Sequence, residues 1–186
     1  MNLNSINYIM QGSHNIMKNI ILFISIVLIS SCTSSNQECE TVANGFIDGV
    51  DGQVTMGSQS SVEIFNEVDK AWAELDYDKL KTFVAEGAEM KFADGGLAVG
   101  PDAFIEYIKN WVTEVEEEKG NEYKWNTDYA FSLAVTSVEG DWVNAQFTST
   151  HTNPESELEA EVFYEFYHIV DGKIQEWSQF KRDVLR

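Results

Sequence analysis

Basic residues are scarce in this chain: 12 Lys and Arg stand against 31 Asp and Glu, a formal net charge of −19. Nucleic-acid binding rests on basic side chains that release counterions from phosphates, so this balance excludes it. Attraction to an anionic lipid surface is excluded on the same ground. Cysteine is rarer still, with Cys32 and Cys39 alone, and the three His form no cluster with them. That leaves no ligand set for zinc and implies no metal. No serine stands in a nucleophile-elbow context, no glycine loop suits phosphates, and no cofactor is implied. The apolar run Ile20 to Ile29 is too short for a membrane span, which needs about 20 residues. No internal repeat is present.

What is present begins with that run. Lys18 precedes it, and small residues and Cys32 follow: the positive, apolar, small-residue order of a secretory signal. Ile29-Ser30-Ser31-Cys32 resembles the bacterial lipobox, which implies a signal over residues 1–31 and lipidation of Cys32. The expected location is the cell envelope, periplasmic or surface-facing, with the acyl chains as the only membrane attachment. Either Met1 or Met17 fits as the start. Losing Lys18 with the signal leaves 11 basic residues against 31 acidic ones, a net charge of −20. Cys39, then without a partner and set in a polar stretch, reads as inert. Residues 32–59 are rich in Ser, Asn, Gly and Asp and read as a flexible tether. Asp48-Gly49-Val50-Asp51-Gly52 lacks the spacing and closing glutamate of a calcium loop.

A folded domain is expected over residues 60–186. Ser60 or Ser61 caps a helix whose Ile64, Val68, Ala71, Trp72 and Leu75 form one apolar face, with Phe65 beside it. Asp76-Tyr77-Asp78 starts a short second helix, and Glu89 to Phe92 alternates as a strand before the turn Asp94-Gly95-Gly96. Pro101 opens a third helix carrying Phe104, Ile108, Trp111, Val112 and Val115, which ends near Lys119-Gly120. Four strands follow: Trp125–Val138, Trp142–Thr152, Glu159–Val170 and Lys173–Arg182, the last two joined at Asp171-Gly172. Helices first and an antiparallel meander afterwards is α+β, with the helices on one face of the sheet.

Over residues 60–183 the chain resembles the nuclear transport factor 2-like superfamily, in its SnoaL-like, ketosteroid-isomerase-like branch. The resemblance rests on Ala71 to Leu80, Phe83 to Met90, Val99-Gly100-Pro101-Asp102-Ala103-Phe104 and Asp171-Gly172-Lys173-Ile174, in that order and spacing. It implies a cone-shaped, curved antiparallel sheet wrapped around about three N-terminal helices, with an internal pocket. Such cones serve isomerases, cyclases, dehydratases, transport factors and binding modules, so function must be argued from the pocket. The isomerases use a strand carboxylate as base, with a tyrosine and a second acid. By alignment these positions fall on Phe92, Val68 and Glu165, so two of three roles are missing and steroid isomerase chemistry is not expected.

The candidate catalytic residues are therefore Asp94, His151 and Glu165. Asp94 shares a strand face with Phe92 if the strand runs that far; otherwise it is an exposed turn former. His151 continues the face of Val143, Ala145, Phe147 and Ser149, which turns it toward the concave side. It is either an acid, base or anchor there, or a His paired with a Glu or Tyr at the sheet margin. For residues 159–170, uniform apolarity turns Val162, Tyr164, Phe166, His168 and Val170 inward, whereas the alignment turns Glu165 inward. Trp111, Tyr129, Phe147, Tyr164 and His168 are the expected pocket lining. A half-apolar outer face suggests a homodimer through the convex sheet, as superfamily members often form. The expected function is binding of a small, partly apolar molecule. The alternatives are a cofactor-independent isomerase, cyclase or lyase with an Asp or His base, and a structural or assembly partner at the cell envelope.

Overall fold

The computed structural model describes residues 43–186; the signal, Cys32, Cys39 and the first part of the tether lie outside the described residues. Helix α1 (Gln59–Ala73) buries Phe65, Val68, Ala71 and Trp72, the stripe that its spacing predicts. Its cap is Ser58, not Ser60 or Ser61: the Ser58 hydroxyl accepts from the Ser61 N–H at 3.2 Å. Asp141, from far along the chain, selects that serine by accepting from the hydroxyls of both Ser58 and Ser61. Helix α2 (Tyr77–Thr82) is capped by Asp76, whose carboxylate accepts from the Lys79 N–H at 3.0 Å.

Helix α3 (Gly100–Thr113) runs into a π-helical turn, Glu114–Glu118. Its first residue must be glycine. At φ +79° a Cβ on Gly100 would stand 2.6 Å from the Glu86 carbonyl oxygen.

Seven strands form one mixed sheet. They are β1 (Val54–Met56), β2 (Val84–Lys91), β3 (Leu97–Val99), β4 (Asn126–Val135), β5 (Asp141–Thr150), β6 (Leu158–Val170) and β7 (Lys173–Leu185), in the order β1-β4-β5-β6-β7-β2-β3. All neighbours are antiparallel except β2 and β7. Register shifts within β4–β5, β6–β7 and β2–β7 bend the sheet around the helices, giving the α+β cone. Strand β1 corrects the tether reading. Val54 to Met56 pairs with Val135 to Leu133, so residues expected to be flexible add an edge strand instead. Backbone pairing supplies that order, and composition does not report it. Strand β2 also begins five residues before the alternating stretch from Glu89.

The facing of β6 is the main correction. Residues directly opposite on paired strands share a face, and Val143, Ala145 and Phe147 of β5 stand opposite Tyr167, Glu165 and Phe163. Since that β5 set faces the helices, Phe163, Glu165, Tyr167 and Ile169 point inward. Val162, Tyr164, Phe166 and His168 turn to the convex side, against the reading from apolarity. Tyr164 and His168 are therefore not pocket residues; His168 stacks on Trp142 of β5 with ring centroids 4.2 Å apart. Tyr129 is outside as well, 44% exposed and stacked on Phe131. The core lies between α1, α3 and the concave sheet, centred on Phe65, Trp72, Phe104, Tyr167 and Trp177.

Candidate functional site

Inside the cone, α1 contributes Asp69 and Trp72, α3 contributes Trp111, and the connection into β4 contributes Tyr123 and Trp125. Phe147 and His151 come from β5 and its end; Glu161, Phe163, Glu165 and Tyr167 come from alternate positions of β6. They enclose a cavity of about 50 Å³, space for one or two waters at about 30 Å³ each. Beyond Trp111 and Phe163, which line both spaces, lies a mouth cleft of about 510 Å³ bordered by Phe92, Asp94, Tyr107, Gln179 and Lys181. The aromatic rings meet edge to face: Trp72 lies 5.1 Å from Phe104, 6.5 Å from Trp111 and 6.4 Å from Trp125. Two of the indole N–H groups are committed. Trp72 Nε1–H donates to the Tyr123 hydroxyl at 2.8 Å, and Trp125 Nε1–H donates to Asp69 Oδ1 at 2.8 Å. What Trp72 and Trp125 offer a ligand is therefore ring surface and no free N–H.

Glu165 is the polar centre. Only 6% exposed, it accepts hydrogen bonds from the Tyr167 hydroxyl, from Trp177 Nε1–H at 3.1 Å and from Gln179 Nε2–H at 2.8 Å. Burial pushes its carboxyl up to about 7, against the opposing pull of those three donors, and the nearby Asp69 charge adds to the rise. Burial first, and then the Glu165 carboxylate, push the Tyr167 hydroxyl well above its ordinary range. The pair can hold or pass a proton near neutral pH, with Glu165 as the titrating member.

The other two candidates are placed differently. His151 lines the cavity, but both ring nitrogens are engaged: Nδ1 with the Ser156 hydroxyl at 2.7 Å, Nε2 with Glu161 Oε2 at 3.2 Å. Glu161 also accepts from Lys181 Nζ at 2.6 Å. Burial works to raise the Glu161 carboxyl, and the hydrogen bonds from Lys181 and His151 outweigh it and hold the group low. The geometry is that of a paired sheet-margin histidine, one of the two arrangements expected for it. Asp94 is an exposed turn residue at the mouth. It accepts from the Tyr107 hydroxyl and from the Gly96 N–H at 2.7 Å, and those two bonds, Tyr107 foremost, hold it below the usual carboxylate range. A carboxylate so held is a poor base. Asp94 therefore does not meet Glu165 in the inner cavity.

Trp111 and Phe147 are in the wall as expected. Sequence reasoning missed Asp69, Tyr123, Trp125, Phe163 and Tyr167. Asp69 follows Val68 on the buried stripe of α1, and Tyr123 and Trp125 lie in a connection without periodicity, so neither carried a signal. Phe163 and Tyr167 carried one through their alternation with Glu165.

A family model for the SnoaL-like domain matches residues 65–177, more than half of the chain. The chain belongs to the SnoaL-like family. Among solved structures, this SnoaL-like fold is similar to a "putative ketosteroid isomerase" from Kribbella flavida DSM 17836, with 9% identity, a TM-score of 0.52, and 70% of this chain and 84% of that one covered. A second protein from the same organism has 15% identity and a TM-score of 0.51, over 67% of this chain and 88% of its own. At these identities the likeness is one of fold. No curated protein matches the sequence.

Proposed function

We propose that this SnoaL-like domain binds a small, partly apolar molecule in the cone, with Glu165 as its polar anchor. The observation that carries the reading is the buried carboxylate on a ring-lined cavity that shares Trp111 and Phe163 as wall with a wider cleft. Apolar walls supply affinity, and one polar group fixes orientation. An amide-detected NMR titration with water-soluble aromatic and aliphatic alcohols tests it. Shifts confined to residues 69–72, 111–125 and 161–167 are expected; saturating ligand with no shift in these segments would refute it.

A second reading, proton transfer on the bound molecule, is favoured by one feature, the Glu165 carboxyl pushed up to about 7. It requires deuterium exchange into an enolisable ketone probe, catalysed by the protein and lost in Glu165→Gln. The reading also includes attachment at the cell envelope through Cys32, supported by the lipobox-like sequence. Cys32→Ala is expected to release the protein from the membrane fraction. A second copy of the chain is the proposed partner of the convex sheet. Its support is the set of exposed aromatics Tyr129 and Phe131 on β4, Phe166 on β6 and Phe180 on β7, with Phe166 and Phe180 in edge-to-face contact at 5.9 Å.

A further inference from the structure

The charge inside the cone has one sign. Asp69, Glu161 and Glu165 face the cavity, and the two basic residues on its lining, Lys119 and Lys124, are exposed and already engaged at the rim. Lys119 Nζ stands 2.7 Å from Glu114, and Lys124 is paired with Glu122. Glu161 has its own cation in Lys181 at 2.6 Å, with His151 on its other oxygen.

Among the described residues, Asp69 and Glu165 have none. Asp69 takes Trp125 Nε1–H and the Thr127 hydroxyl, both at 2.8 Å, and Glu165 takes Tyr167, Trp177 and Gln179. Every one of these donors is neutral. A carboxylate as withdrawn from water as Glu165 ordinarily has a positive group beside it, and this one, with the half-buried Asp69 across the cavity, does not. The cavity around them is walled by aromatic rings, and the face of an indole or phenol attracts a cation placed over it. An anion would meet two carboxylates there. A neutral apolar group would leave the charge uncompensated.

The dimensions narrow the choice. About 50 Å³ beside Glu165 admits a head of one or two heavy atoms, the size of an ammonium group on its first carbon, and about 510 Å³ in the neighbouring cleft admits a larger body. We infer that the cone takes an organic cation, an alkylammonium whose charged head sits beside Glu165 and whose apolar body lies along the ring wall, where Trp111 and Phe163 pack edge to face at 5.6 Å, on the side of the mouth cleft. The inference rests on the ligand-binding reading above and names the class of ligand.

Its arrival favours ionised Glu165, so binding below neutral pH releases a proton and the affinity falls as the solution is acidified. The groups that face Glu165 are Asp69 from α1, Tyr123 from the connection into β4, Tyr167 on its own strand, and the uncharged Trp177 and Gln179 from β7. Glu161 and His151 stand further out, at the rim. Glu165 is poised to titrate near neutrality, whereas burial pushes the Tyr123 and Tyr167 hydroxyls above their ordinary range.

The test compares three probes of nearly equal size on the full chain at pH 8: n-butylammonium, 1-butanol and butyrate. Saturable quenching of tryptophan fluorescence at constant ionic strength reads the binding. Butylammonium is expected to bind at least tenfold more tightly than 1-butanol, with butyrate weaker than either. Glu165→Gln is expected to remove most of that tenfold preference, and a preference unchanged in the folded variant overturns the inference. If Glu165→Gln does not fold, Asp69→Asn on the half-buried face of α1 asks the same question, and the wild-type preference needs no variant. Equal affinity for 1-butanol and butylammonium overturns the inference and leaves the binding reading standing. Tighter binding of butyrate overturns it too. Failure of all three probes to bind overturns both.

Discussion

Replacing Glu165 by glutamine removes a buried group poised to titrate near neutral pH, and the consequence can be worked out in sign and size. In the folded protein this carboxyl holds its proton up to about 7, whereas an ordinary glutamate releases it near 4.5. Between those two values the folded state binds more protons than the unfolded state. Stability from this group is therefore fully present below pH 4.5, falls as the pH rises toward 7, and is flat above. At 1.36 kcal/mol per pH unit the whole change is roughly 3 kcal/mol. About 2 kcal/mol of it falls between pH 5.5 and 8.5, away from the isoelectric point of about 4.3. Glu161 and Asp141, held low by their partners, change stability in the opposite direction, but they are present in both proteins and cancel in the difference. The assay is urea unfolding of wild type and Glu165→Gln, followed by tryptophan fluorescence across that range. Wild-type stability relative to the variant is expected to drop by about 2 kcal/mol from pH 5.5 to pH 8.5. A difference that stays constant across the range refutes the burial argument, and a rise reverses it.

Three further outcomes follow from single side chains. Gly140 adopts φ +81° in the β4–β5 turn, and a Cβ there would stand 2.3 Å from the Ile169 carbonyl oxygen. Gly140→Ala should cost about 2 kcal/mol or more in a urea melt, the left-handed conformation alone accounting for about 1–2; a change within experimental error contradicts the clash. His151→Ala removes one partner from the half-buried Glu161 and from Ser156, for an expected loss of about 1–3 kcal/mol. Probe affinity in a fluorescence titration is expected to be unchanged, since His151 is committed to its neighbours; loss of binding with the fold intact would make it a ligand contact. Phe180→Lys on the convex face should convert a dimer to a monomer in light scattering after size exclusion, without altering the circular dichroism. A wild type that is already monomeric contradicts the proposed interface.

The α+β order and helix faces were legible because each rests on a local signal. The stripe from Phe65 to Trp72, Pro101 at the start of α3 and the Asp171-Gly172 hairpin needed only their own neighbours in sequence. What failed depended on pairing. Strand β1 exists because β4 offers it an edge, and the facing of β6 is set by its alignment with β5, neither of which a single segment reports. The charge of Glu165 argued for the solvent side only while Tyr167, Trp177 and Gln179 were unknown as its partners. The alignment by family placed that residue inward where the apolar count did not, since the outer face of this sheet is itself aromatic.

The most direct measurement is carbon-13 NMR of the Glu165 side-chain carboxyl, assigned by comparison with Glu165→Gln and followed against pH with and without n-butylammonium. The account predicts a midpoint near 7 in the free protein and a lower one with the probe bound, because a cation in the cavity favours the ionised form. A midpoint near 4.5, or one that saturating ligand leaves in place, would show that Glu165 is not the anchor of a ligand in this cone.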